Sequence, residues 1–142
     1  MHSRGTVADM ASYTQATYTN TITEVITELQ TAVTRALTVG VPSSAIILDP
    51  GLGFAKTPAQ SIAVLANLPK LVDQGFPVMV GPSRKRFLGA MTGVQLPTDR
   101  DNGTIGANVA ALMLGATWFR VHAVQANRHA LDVAATILES HQ

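Results

Sequence analysis

The chain has 142 residues, 46% of them hydrophobic and 13% charged, a composition that builds one buried core and excludes an intrinsically disordered chain. Ten basic against nine acidic residues leave a net charge of +1, so no overall field attracts a polyanion, and nucleic acid would need a strongly local patch. The absence of cysteine excludes a disulfide scaffold and a thiolate metal site, and it fits a reducing, cytoplasmic location.

No apolar run approaches the roughly 18 residues of a membrane span, and the opening MHSRGTVADM lacks a signal-peptide core, so no membrane association is expected. From 12 to 37 the apolar residues Tyr18, Ile22, Val25, Ile26, Leu29, Val33 and Leu37 recur three or four apart, which predicts one long amphipathic helix. Gly40 then serves as its C-terminal cap, and Pro42 forbids continuation. The β-branched run AIIL, 45–48, predicts a strand covered on both faces. After DPGLGFAK, Thr57, Pro58 and Gln60 have the spacing of a helix cap, with Ile62, Leu65 and Leu68 on one face until Pro69 restarts or kinks the helix.

The pattern then repeats. FPVMV, 76–80, predicts a second strand, followed by the basic loop GPSRKR and a short helix over 87–91. A polar loop leads to a helix over 104–114 that ends at Gly115, and TWFRVHAV, 117–124, predicts a third strand. The last helix carries Ala130, Leu131, Ala134, Ile137 and Leu138 on one face. Strand and helix alternate three times, which predicts α/β architecture: parallel strands joined by right-handed crossovers.

In such folds the functional groups sit at the carboxyl ends of the strands. Asp49 and Lys56 follow the first strand, Ser83 to Arg86 follow the second, and Arg120 and His122 lie in the third. DPGLGFAK is not a dinucleotide fingerprint, because Lys56 stands where a third glycine belongs, and it lacks the Gly-Lys pair of a phosphate loop. Asp49 either caps a turn through its own backbone or accepts paired N–H groups from a flat heterocycle. Phe54 is either a packing residue or an exposed aromatic platform. Arg84, Lys85 and Arg86 form either a solvated charge run or an anion site beside a helix start. Arg120 and His122 share one face of a strand, with Val121 opposite, and two polar groups on a buried face favour function. His2, His129 and His141 make no ligand spacing with carboxylates, so no metal site is expected on this chain.

Three motifs in order, LDPGLGFAK, GPSRKRFLGA and FRVHAV, resemble the second half of dihydropteroate synthase, and MHSRG resembles the end of that family's fifth barrel strand. The resemblance implies a single partial domain, 1–142, forming strands six to eight and flanking helices of a (β/α)8 barrel, a fold that needs about 250 residues when whole. It implies the condensation of 6-hydroxymethyl-7,8-dihydropterin diphosphate with p-aminobenzoate, releasing pyrophosphate, in folate biosynthesis. It further implies that Asp49 accepts the pterin's N–H groups and that Lys85, the catalytic residue, meets the pterin's acceptor side beside the incoming amine. Arg120 would cover the pterin and hold the diphosphate with His122, while Phe54 and Ser83 line the p-aminobenzoate side. Arg86 stands where many members have a Ser that helps hold the aminobenzoate carboxylate, and Ala123 stands where an Asp usually follows the His. Arg84 receives no role.

Mg2+ is implied for the leaving diphosphate, with its protein ligand in the missing first half. The implied partners are these two small molecules and no nucleic acid, with a homo-oligomer or association with the missing half. The open strand edges are expected to leave Ile46, Leu48 and Val80 poorly covered, and the isolated chain to be marginal or self-associating. A pterin-binding remnant without turnover, a structural remnant and a related pterin-dependent methyltransferase barrel are the alternatives.

Overall fold

The computed structural model describes residues 1–6, 8–9, 12–14 and 16–140; His141 and Gln15, both part of the expectations above, lie outside the described residues. The first helix, α1, spans Thr21–Thr38 and not 12–37. Asn20 caps it by accepting the Thr23 N–H at 3.1 Å, and Glu24 takes the N–H groups of Thr19 and Asn20 at 2.7 and 2.9 Å. These local acceptors fix the start. Tyr18 packs against the core from outside the helix, and so extends the apolar period into a non-helical segment. At the other end Gly40 has φ +91°, with Gly40 N–H on Leu37 O and Val41 N–H on Ala36 O, the paired bonds of a Schellman close.

The helical elements that follow are α2 (Pro58–Ala66), α3 (Leu68–Val72), α4 (Arg86–Thr92), α5 (Asp101–Met113) and α6 (Val124–Glu139). Thr57 and Gln60 form the expected capping box on α2, and Pro69 restarts the chain as α3. The buried face there is Ser61, Val64, Leu68 and Leu71, however, with Ile62 and Leu65 half-buried. A 3₁₀ turn over Pro97–Arg100 starts α5 three residues ahead of the predicted 104. On α6 the face is narrower than predicted: Ala134 is buried, whereas Ile137 is 54% exposed.

The strands are much shorter than the sequence suggests. Among the described residues the sheet consists of β1 (Met79–Val80) and β2 (Trp118–Phe119), paired in parallel, plus one parallel bridge from Leu48 to Val78. Ladder bonds exist where a neighbour supplies the partner: Leu48 N–H on Pro77 O, Met79 N–H on Leu48 O and Arg120 N–H on Val80 O. The 45–48 run therefore shrinks to the Leu48 bridge, and 117–124 is a strand only at Trp118–Phe119, where its pairing with β1 ends, with α6 beginning at Val124. His2 N–H on Asp49 O at 2.8 Å lays the opening segment alongside the first of these strands.

Leu48 and Val80, expected to be poorly covered, are 3% and 0% exposed. Together with Val78 they face the helices, in one core with Val25, Leu29, Val64, Leu68 and Phe87. Strand alternation puts Met79 and its partner Trp118 on the other face, where Trp118 is 53% exposed. Ile46 is half-buried.

Two substitutions test the helix ends. Gly40 has open space where a Cβ would go, so Gly40→Ala should cost about 1 kcal/mol from the left-handed backbone alone, measured by urea unfolding. Among the described residues no side chain caps α6, whose N-cap is Ala123. Ala123→Asp should raise stability by about 1 kcal/mol in the same assay.

Candidate functional site

The parallel register brings the carboxyl ends of the strands to one rim. Asp49 leaves the Leu48 bridge with 2% exposure, and its two oxygens divide their work: Oδ1 accepts the Gly51 N–H at 2.8 Å and Oδ2 accepts from the Arg120 guanidinium at 3.1 Å. The turn-capping reading of this residue is thus present, and its second oxygen is taken by Arg120. Arg120 itself is 55% exposed along its side chain and rests on Gly81, where a Cβ would stand 3.1 Å from its terminal nitrogen. Arg120 and His122 do not share a buried strand face, because β2 ends before them and their side chains lie on an open edge.

The basic loop is set by its tertiary partners. Arg84 has φ +59°, a left-handed conformation for a non-glycine residue, held from several sides. Its guanidinium binds Asp101 through two bonds of 2.9 and 2.7 Å, its N–H donates to Thr104 Oγ1, and its carbonyl accepts from buried Arg100. The residue that the sequence left without a role is the one that shapes the loop. No local signal could have found it, since the partners lie in α5 and the turn before it.

The reversal at Arg84 sends its two neighbours in different directions. Ser83 Oγ meets His122 Nδ1 at 2.7 Å and accepts the His122 N–H at 3.1 Å, so Ser83 orients the ring. Lys85 Nζ stands 3.4 Å from the centre of the Phe54 ring. Burial holds the Lys85 ammonium below the usual lysine range, with nearby Arg120 and Arg86 adding to this and Asp49 opposing it. Arg86 opens α4, with its guanidinium 4.8 Å from the centre of the Tyr13 ring.

Two depressions share the Phe54–Lys85 pair as a wall. One, of about 320 Å³, is lined by Met1, Gly81, Ser83, Arg120, Val121 and His122 with that pair. The other, of about 240 Å³, adds Tyr13, Arg84, Arg86, Phe87, Pro97 and Arg100. Ser83 lies in the first and not in the second, and Asp49 sits behind Arg120 rather than on either surface.

Behind the rim lies a polar cluster that reading the sequence missed. Lys56 is fully buried, its Nζ within 2.9 Å of His2 Nδ1 and 3.1 Å of both Gly51 O and Phe54 O. His2 Nε2 meets Glu28 at 2.9 Å, and Glu28 also pairs with Arg4. A Cβ on Gly51 would stand 1.9 Å from His2 O, so the loop closes on the opening segment only with glycine there. Lys56 directly follows the glycine loop and precedes a helix cap, which is the one sequence hint of its burial.

Residues 1–122 match the family described as pterin binding enzyme. The chain is 38% identical to dihydropteroate synthase of Mycobacterium leprae over 133 residues, covering 90% of this chain and 47% of that protein. The solved dihydropteroate synthase of Thermus thermophilus in complex with 4-aminobenzoate matches with TM-score 0.84 and 40% identity, covering 91% of this chain and 49% of that one. The Xanthomonas albilineans enzyme in complex with 7,8-dihydropteroate matches with TM-score 0.84 and 37% identity, covering 86% and 48%. The chain thus spans about half the length of these relatives, and its short parallel strands and flanking helices are part of their barrel. On the family match and the shared fold, the chain belongs to the pterin binding enzyme family.

Proposed function

We propose that the chain carries half of a dihydropteroate synthase active site, joining 6-hydroxymethyl-7,8-dihydropterin diphosphate to p-aminobenzoate. The observation that carries this reading is the pair of depressions divided by Phe54 and Lys85, which suits two flat substrates that react across a common wall. The 4-aminobenzoate and 7,8-dihydropteroate held by the two solved relatives support the substrate class. In the first depression the pterin would take Asp49 Oδ2 by displacing the Arg120 guanidinium, which then covers the ring. Arg120 and His122 would hold the diphosphate, and Lys85 would donate to the pterin's acceptor edge. In the second, Arg86 beside the start of α4 would hold the aminobenzoate carboxylate, with the Phe54 ring against the substrate ring. Ser83 would act by fixing His122.

The aniline nitrogen attacks the pterin methylene carbon, the C–O bond breaks with its electrons going to the diphosphate, and the new C–N bond sheds a proton. Positioning and stabilisation of the leaving group supply the catalysis, and no dedicated general base is required. Mg2+ is part of the proposed reaction as a partner of the diphosphate. Among the described residues no three His, Asp or Glu side chains gather as a ligand set, so the ion would be held mainly by the diphosphate itself.

We further propose a cytoplasmic location and self-association, or association with the remainder of a barrel. No described helix is long and apolar enough to cross a membrane, and β2 presents an exposed Trp118 at the sheet edge. The basic loop is an unsuitable nucleic-acid patch, since Arg84 is committed to Asp101 and Lys85 to Phe54.

Calorimetric titration with the pterin diphosphate, paired with a pyrophosphate-release assay containing p-aminobenzoate, tests the proposal. The chain should bind the pterin diphosphate, and Asp49→Ala and Lys85→Ala should each weaken binding by about ten- to a hundredfold, the worth of a charged hydrogen bond. Binding that survives both substitutions would sink the assignment.

A further inference from the structure

We propose that Lys56 is a positioning residue for the site described above: its ammonium ties the loop bearing Asp49 and Phe54 to the opening segment and so fixes both groups for substrate. This rests on the function proposed above. The buried nitrogen faces three acceptors, His2 Nδ1, Gly51 O and Phe54 O, and an ammonium has three N–H donors. The count closes when His2 is neutral and carries its proton on Nε2, where Glu28 accepts it. A neutral amine has two N–H groups and leaves one acceptor buried without a donor.

The loop needs such a tie. Gly51, Gly53 and Ala55 all have positive φ, at +65°, +73° and +45°, so three left-handed residues fall within five positions. Between them Phe54 carries the wall of both depressions, its ring under Lys85 and its carbonyl on Lys56. From α2 the loop receives one further bond, Gly53 N–H on Ser61 Oγ at 3.1 Å, and Ser61 is uncharged.

The charges that face Lys56 are His2 and Arg4 from the opening segment, Glu28 from α1 and Asp49 from the loop itself. Burial lowers Lys56 to about 8, with Asp49 and Glu28 opposing and Arg4 adding. Burial, with Lys56 beside it, lowers His2 to about 4. The network is therefore complete between about pH 4 and about pH 8. Below this window a proton on His2 Nδ1 meets the ammonium, and above it the donor count fails.

Linkage separates this effect from general loosening. Lys56 binds its proton less tightly in the fold than in the unfolded chain, so its contribution to global stability rises as pH climbs from about 8 to 10.5. The loop loses a bond over the range in which the whole fold gains.

The test follows the carbonyl carbon shifts of Gly51 and Phe54 by NMR on the full chain, from about pH 6 to about pH 9.5, beside calorimetry with the pterin diphosphate and p-aminobenzoate. Both shifts should move together near pH 8. They should do so equally in Lys85→Met, whose lysine is also lowered by burial, and remain flat in Lys56→Met. Lys56→Met should bind both ligands about tenfold more weakly at neutral pH. Should Lys56→Met fail to fold, the titration in the unaltered chain and in Lys85→Met decides alone. Flat carbonyl shifts across pH 8, movement lost in Lys85→Met, or unchanged affinity in a folded Lys56→Met would each overturn the role of Lys56. Failure of the unaltered chain to bind either ligand overturns instead the proposed function, and leaves the carbonyl titration to judge the tie.

Discussion

The parallel ladder is the constraint on which the site depends. Its bonds run from His2 to Asp49, from Leu48 to the chain around Val78, and from Val80 to Arg120, and each offset is fixed by an N–H that has one carbonyl within reach. Because the strands run the same way, their polar ends have no choice but to share a rim. Once there they neutralise or orient one another: Arg120 on Asp49, Ser83 on His122, Arg84 on Asp101. A slip of one residue would turn Val78 and Val80 out of the helix-facing core and cost more than any of these polar contacts.

Phe54 shows how the rim is stiffened from behind. Its carbonyl is held by Lys56 and its ring is covered by Lys85, so one residue is clamped by two lysines of different kinds. Lys56 has no exposure and gives up hydration entirely, a cost that fixed acceptors must offset. Lys85 keeps partial access and trades water for an aromatic face. Burial lowers the proton affinity of both, but only Lys85 opens onto the depressions, so the two are separable in function.

What the sequence disclosed and what it hid divide along the range of the interactions. The cap made by Thr57, Pro58 and Gln60 was legible because every partner lies within one turn. The Schellman close at Gly40 was legible for the same reason. The residues at the strand ends were legible as a set because alternation of strand and helix orders them, and the resemblance then gave them roles. Strand lengths were not legible, since a strand persists only as far as a neighbour pairs with it. The contacts of Arg84 and the burial of Lys56, which was named only as a strand-end polar group, escaped because their partners, Asp101 and His2, are distant in the chain. The start of α1 escaped because Tyr18 obeys the helical period while packing from a non-helical segment.

The exposure of Arg120 has a physical consequence for binding. An ion pair with one partner largely in water gains little net energy, so the Arg120–Asp49 contact is a weak lock on a deeply buried acceptor. Asp49 could not remain buried without some donor, and Arg120 supplies one at low cost until a better donor arrives. Under the proposed function, a flat ligand with two adjacent N–H groups would satisfy the carboxylate and free the guanidinium to move over the ring or toward a phosphate. Arg120 follows β2 at the exposed edge and leans on a glycine, which leaves room for that movement. The exposed edge of this portion of a barrel therefore gives Arg120 the freedom to change partners.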